Sequence, residues 1–90
     1  MNFKLSPLVV KELSRIKKTD QKLEKKIIKQ LQLLKTNPRH PSLRLHKLTG
    51  NLTNMWSISI TMNIRMIYHL LDDSTAYFVD IGTHDEVYGK

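Results

Sequence analysis

Apolar positions change period part-way along the chain, and the change divides it into a helical first half and a β second half. Phe3-Lys4-Leu5 alternates apolar and polar, the period of a brief strand. Ser6-Pro7 then marks a helix start. Ser can cap free N–H groups, and Pro suits the first helical position because its missing N–H costs nothing there. Val9, Leu13 and Ile16 follow at i, i+4, i+7, predicting a first helix over about 7–17. Thr19-Asp20 offers a second cap. Leu23, Ile27, Leu31 and Leu34 recur at helical spacing, with Ile28 widening the stripe and Lys22, Lys25, Lys26 and Lys29 on the remaining surface. The second helix is expected over about 20–35, stopped by Asn37-Pro38.

Residues 36–53 hold Pro38, Pro41, Gly50 and many polar side chains, and so read as a long loop, a length usually tied to function or disorder. Beyond it the period is two. Trp56, Ile58 and Ile60 alternate with Ser57, Ser59 and Thr61, a half-buried strand. Met62-Asn63 is a turn, 64–71 a second and more apolar strand, and Asp72-Asp73-Ser74 another turn. Residues 75–81 form a third strand with Tyr77, Val79 and Ile81 on one face, Gly82 ends it, and a short tail follows. The order is β-α-α-β-β-β: a helical hairpin packed on one face of an antiparallel sheet, its other face open and its first strand paired at an edge. The fold class is a two-layer α+β sandwich. Ninety residues suit one domain, 1–90.

The chain has no cysteine, which excludes disulfides, thiolate metal sites and a thiol nucleophile. No apolar run approaches the roughly 20 residues needed to span a bilayer, and the N-terminal residues lack a signal-peptide core. A cytoplasmic protein with no membrane partner is expected.

Charge changes the picture more. Fifteen Lys and Arg face eight Asp and Glu, for a net charge of +7. No acidic residue occurs from Lys25 through Leu71, a stretch that carries Lys35, Arg39, Arg44, Lys47, Arg65, His40, His46 and His69. A block of one sign recruits a polyanion, nucleic acid foremost. A solvated basic surface, or a face for an acidic protein, are the blander alternatives.

No glycine-rich phosphate loop, paired-cysteine site or His-x-x-x-His pair is present, so neither cofactor nor metal is expected. Scattered His, Arg, Lys and Tyr suffice for RNA cleavage. The 2′-hydroxyl is a built-in nucleophile that needs a base, cations for the phosphorane charge, and an acid for the leaving oxygen. His84, just past Gly82, titrates near neutrality and can serve as acid or base; otherwise it is an exposed tail histidine. Tyr88 can stack on a base or pin the C-terminus. Arg65 can clamp a phosphate through its fork, or guard a strand edge. His46 and Lys47 can supply an acid/base and a phosphate contact, or mere loop polarity. Arg39 and Arg44 add basic loop contacts. Trp56 can stack a base, although its alternating strand points to the core. Asp85 and Glu86 either orient His84 or soften the tail.

These residues fall into segments that resemble the RelE/ParE superfamily of toxins. His46-Lys47-Leu48-Thr49-Gly50-Asn51-Leu52 resembles its "H-x-L-x-G-x-L" segment. Trp56-Ser57-Ile58 through Arg65-Met66-Ile67-Tyr68 resembles its "W-S-I … R-hydrophobic-hydrophobic-aromatic" hairpin. Ile81-Gly82-Thr83-His84-Asp85-Glu86-Val87-Tyr88 resembles the "I-G-T-H-x-x-V-Y" ending of YafQ-like and related branches. The resemblance implies a RelE-like fold, the toxin role in a type II toxin–antitoxin module, and metal-independent mRNA cleavage, typically on the ribosome. It also implies a cognate antitoxin partner. The catalytic positions it carries over are His46, Arg65, His84 and Tyr88, with Lys47 as a phosphate contact. The chain departs from YafQ-like toxins at Ser59, where they place His, and at Asn63, where they place Asp. Acid and base roles stay open among His46, Arg65 and His84. Two other functions fit the same fold and charge: a ParE-like inhibitor of DNA gyrase, and a non-catalytic nucleic-acid-binding module. The His84/Tyr88 pair in the tail favours the nuclease.

Overall fold

The computed structural model describes residues 1–49 and 54–88, with Tyr88 described by its backbone alone. The first strand, β1 (Asn2–Leu5), leads into helix α1 (Pro7–Thr19). Ser6 caps that helix as expected, its hydroxyl accepting from the Val9 amide at 3.2 Å. Asp20 does the same for α2 (Gln21–Thr36), accepting from Leu23 N–H at 3.1 Å. Both helices run one or two residues past the expected C-terminal limits.

The presumed long loop contains two pieces of structure. A single 3₁₀ turn covers Pro41–Leu43, with Leu43 fully buried. A two-residue strand, β2 (His46–Lys47), then pairs antiparallel with β3 (Trp56–Ser59). Composition concealed both, because polar and proline residues dominate the segment while Leu43 and Leu48 anchor it. Strand β4 (Ile64–Asp72) and strand β5 (Thr75–Thr83) follow, and the tail is a short helix, α3 (His84–Tyr88). The sheet runs β1-β5-β4-β3-β2, with β1 parallel to β5 at one edge and the other neighbours antiparallel.

The core lies between the helices and the inner sheet face. Val9 and Ile16 of α1 and Ile27, Leu31 and Leu34 of α2 are buried against Ile58, Met66, Tyr68, Ala76 and Phe78. Ile28 does not widen the buried stripe; it is 51% exposed, and Gln30 is buried in its stead. One cross-strand row of the inner face is aromatic: Trp56 lies opposite Tyr68, and Tyr68 opposite Phe78. Trp56 and Tyr68 stack with centroids 6.5 Å apart, and Tyr68 meets Phe78 edge-on at 5.2 Å.

Regular alternation fails at one point on β5. Tyr68 pairs with Phe78 but Ile67 pairs with Asp80, so Val79 is the extra residue of a β-bulge. Tyr77, Val79 and Ile81 therefore do not share a face. Phe78 and Ile81 both pack in the inner core, whereas Val79 packs on the other side. That outer face is not fully open either. Leu48, Ile67 and Val87 form a second buried cluster there, with Met55 and Val79 against it. Among the described residues no helix is long and apolar enough to cross a membrane.

Burial takes the Tyr68 phenol out of water and pushes its pKa up to about 12. The native state thus keeps a proton that the unfolded chain releases from pH 10 upward. Stability from this group is complete below pH 10 and is lost as pH rises from about 10 to about 12. Denaturant unfolding of wild type and Tyr68→Phe across that range checks this: the difference between them is expected to move against wild type by about 2 kcal/mol.

Candidate active site

The outer sheet face gathers the candidate residues. Arg65 sits on β4, between Ser59 of β3 and Gly82 of β5 in one cross-strand row. Strand β4 is the middle of the sheet, so a role for Arg65 in guarding an edge does not apply. Its Nη1 donates to the carbonyl oxygens of Thr61 at 2.7 Å and Met62 at 3.1 Å. These bonds hold the guanidinium against the β3–β4 turn through its Nη1.

His84 opens α3, two residues beyond the glycine opposite Arg65. The helix exists because Thr83-His84-Asp85-Glu86 is a capping box. Glu86 N–H donates to Thr83 Oγ1 at 3.2 Å, and Thr83 N–H donates to Glu86 Oε1 at 2.8 Å. Gly82 lets the helix fold back, since a Cβ there would lie 3.1 Å from Glu86 Cβ. Glu86 is therefore committed to the cap, while Asp85 Oδ1 is 3.7 Å from His84 Nδ1. Both His84 and Asp85 side chains are well exposed. Tyr88 is the last residue of α3, and its side chain lies outside the described residues.

His46 stands on β2 opposite Ser57, itself opposite Ile67, in the neighbouring row of the same face. Its Nδ1 is 2.8 Å from the Arg44 carbonyl oxygen. A carbonyl only accepts, so Nδ1 carries a proton, and in the neutral imidazole this makes Nε2 the acceptor. Arg44 adopts a left-handed backbone with φ 45° and ψ 40°, unusual for a non-glycine residue. Two residues after His46, Leu48 is buried with Ile67 and Val87. That contact draws the His46 segment and the His84 helix onto the strand that carries Arg65.

Other candidates lie apart. Lys47 and Trp56 occupy the inner-face row at the β2 edge, where they flank a groove with Met55, His69 and Leu70. Trp56 packs on the core through Tyr68 and is only half-buried. Arg39 lines a shallow hollow of the proline-rich segment with Arg44.

Some residues escaped sequence reasoning. Gln30 donates through Nε2 to the carbonyls of Ser59 at 2.8 Å and Ser42 at 3.3 Å, tying α2 to β3 and to the 3₁₀ turn. Beside it, Lys26, Lys29, Ser42, Arg44, Ser59, Thr61 and Arg65 help line a cavity of ≈ 400 Å³. The one available signal was Gln30 itself, a polar residue three positions after Ile27 and four before Leu34 on the apolar stripe. No cluster of three metal-binding His, Cys, Asp or Glu residues stands together among the described residues.

The family model for the ParE toxin of the type II toxin–antitoxin system parDE matches residues 3–88. The chain belongs to the ParE toxin family. More broadly, it is a type II toxin–antitoxin toxin of the RelE/ParE superfamily. Solved structures agree. A YoeB-YefM toxin–antitoxin complex from Staphylococcus aureus superposes with a TM-score of 0.76 at 26% identity, covering 93% of this chain and 97% of that one. The YoeB/ParE toxin from Agrobacterium tumefaciens gives 0.76 at 18% identity, covering 93% and 99%. YafQ from E. coli gives 0.70 at 20% identity over 98% of each chain and, like the previous one, supports the fold alone. No curated protein matches the sequence.

Within this ParE-family toxin, the family-like segments acquire physical meaning. The leucine of the His46-Lys47-Leu48 segment is a buried anchor of the loop. Gly50 to Leu52 of the same segment lie outside the described residues. Gly82 and Thr83 of the ending build the turn and cap that present His84.

Two substitutions check these supports. Gln30→Ala takes the donor from the buried Ser59 carbonyl and from the part-buried Ser42 carbonyl and is expected to cost about 1–3 kcal/mol in urea denaturation, while Lys29→Ala stays within about 0.5 kcal/mol. Thr83→Ala removes one half of the capping box. It is expected to cost about 1 kcal/mol and to speed amide exchange at Glu86 before the core strands respond.

Proposed function

We propose that this toxin is a metal-independent endoribonuclease that cleaves mRNA on the ribosome in the cytoplasm and is neutralised by a cognate antitoxin. The observation that carries this is the Leu48–Ile67–Val87 cluster, which draws segments bearing His46 and His84 onto the strand of Arg65. His46 and Arg65 belong to the stretch that carries no carboxylate between residues 25 and 71, while His84 has Asp85 beside it.

In this mechanism His46 Nε2, left as an acceptor by the Nδ1 bond to Arg44, takes the proton of the 2′-hydroxyl. The 2′-oxygen bonds to phosphorus. Arg65, held by the turn carbonyls, offers its remaining donors to the phosphorane oxygens. The bond to the 5′-oxygen breaks, and His84 supplies the proton that leaving oxygen needs. The products are a 2′,3′-cyclic phosphate and a 5′-hydroxyl end. Tyr88 stacks against a base, and Lys47, Arg44 and Arg39 contact the backbone. Trp56 meets RNA only through its exposed edge, because its ring packs on Tyr68. The hydroxyl of Ser59 adds no acid or base, so two histidines carry the proton transfers. The antitoxin reading takes support from the YoeB-YefM complex, in which a relative of this fold is bound to its partner.

The name of the matching family favours one other reading, inhibition of DNA gyrase with no RNA cleavage. Brief expression in bacteria with mapping of mRNA 5′ ends separates the two. Wild type is expected to create new 5′-hydroxyl ends in register with codons, and His84→Ala to lose them by a factor of about 100 or more. Growth arrest with intact mRNA and DNA-damage signalling would move the assignment to gyrase.

A further inference from the structure

The cavity beside Gln30 has a composition that internal structure does not explain. Its walls come from α2, the 3₁₀ turn, the β3–β4 turn and the start of β4. Lys26, Lys29, Arg44 and Arg65 line it, and no carboxylate does. Lys26 and Lys29 are at i, i+3 and so share a face of α2. Like charges converging from separate elements repel; the carbonyls of Thr61 and Met62 answer Arg65 in part, and no wall carboxylate answers Lys26, Lys29 or Arg44. An anion from outside would complete the balance.

Two details indicate a prepared site. Arg44 reaches the cavity from a left-handed backbone, a conformation that costs a non-glycine residue energy and that gathers at functional positions. Arg65 is tied to the carbonyls of Thr61 and Met62, so its guanidinium forms a fixed wall. Thr61 adds a hydroxyl, a group that suits phosphate oxygens, whereas that of Ser42 is engaged with His40 Nδ1 at 2.9 Å.

The geometry points to this cavity as a subsite for a phosphate group of an RNA strand, next to the reactive phosphate. Lys26, Lys29 and Arg44 are its binding residues. Arg65 is the shared wall: it borders the cavity and also stands in the outer-face row that leads to Gly82 and His84. A strand crossing Arg65 places one phosphate on the outer face and its neighbour in the cavity. That continuity favours a polynucleotide over an acidic peptide, which has no reason to follow the catalytic row. Met62 is 88% exposed at the rim and gives the sugar an apolar contact. The choice of RNA as ligand rests on the RNA-cleaving function proposed above; the anion site itself rests on the cavity.

The test uses the full chain and a single-stranded 2′-O-methyl RNA, which has no free 2′-hydroxyl and cannot be cut. Fluorescence anisotropy at several salt concentrations compares wild type, Lys26→Ala/Lys29→Ala, and Lys22→Ala/Lys25→Ala as a control on exposed positions of α2 outside the cavity. The cavity variant is expected to bind about tenfold more weakly and to lose roughly one unit of salt slope. The control is expected to change by less than about threefold. Equal losses in both variants, no loss in either, or no RNA binding by wild type would overturn the subsite. Polyglutamate competing as well as unlabelled RNA of equal charge would also overturn it, in favour of an acidic protein segment. Circular dichroism confirms that each variant is folded. The outcome is independent of cleavage: binding lost through the cavity variant stands even if His84→Ala leaves mRNA ends unchanged, which would sink the nuclease alone.

Discussion

The bulge at Val79 is the constraint on which the site depends. Phe78 must face inward to complete the aromatic row with Tyr68, and Ile81 must face inward to close the core under the helices. They are three residues apart, an odd spacing that a regular strand of period two cannot satisfy. One residue is therefore looped out. Asp80 steadies the break by accepting the Ile81 amide on its own carboxylate at 2.9 Å. Past the bulge, Gly82 lies opposite Arg65 and Thr83 opposite Ile64. A regular strand would put Ile81 opposite Arg65 and shift the start of α3 by a residue. The core thus sets the position of His84 relative to Arg65.

The two layers are joined at the other end by one side chain. Gln30 occupies a position on α2 where the stripe of Ile27, Leu31 and Leu34 leaves room for a polar group among apolar ones. Burial of an amide is tolerable only with partners, and the carbonyls of Ser59 and Ser42 supply them. The same two bonds fix where the 3₁₀ turn and the end of β3 stand. They thereby shape the basic cavity and, through the turn, the seat of Arg65.

Electrostatics and packing divide the labour across the molecule. The inner face is apolar and aromatic, and it removes Tyr68 from any proton chemistry by burial. The outer face carries a small apolar patch of Leu48, Ile67 and Val87 with ionisable groups around it. That patch is enough to hold a loop and a five-residue helix that have little stability of their own. At the far hairpin, Asp72 accepts from the Ser74 amide, and this bond holds its carboxyl below the usual range. It serves the turn and lies away from the cationic groups.

Much was legible in the chain itself. Hydrophobic period located both long helices and the strands β3, β4 and β5, because burial on one face of each element is a local demand on residue spacing. Ser6 and Asp20 announced their helix starts by chemistry that acts over three residues. The acid-free stretch from Lys25 to Leu71 and the segments around His46, Arg65 and His84 pointed to a RelE/ParE-type toxin. The capping box Thr83-x-x-Glu86 was equally local, but it was hidden in what read as a tail. Other features are not local. Whether Ile28 or Gln30 is buried depends on which partner carbonyls come within reach. Whether a three-residue spacing is met by a bulge depends on what lies across the sheet. The pairing of β2, the tautomer of His46 and the convergence of Lys26, Lys29, Arg44 and Arg65 each join residues distant in the chain. Sequence periodicity reports only how a segment divides between core and solvent; tertiary packing decided which charged groups share a space.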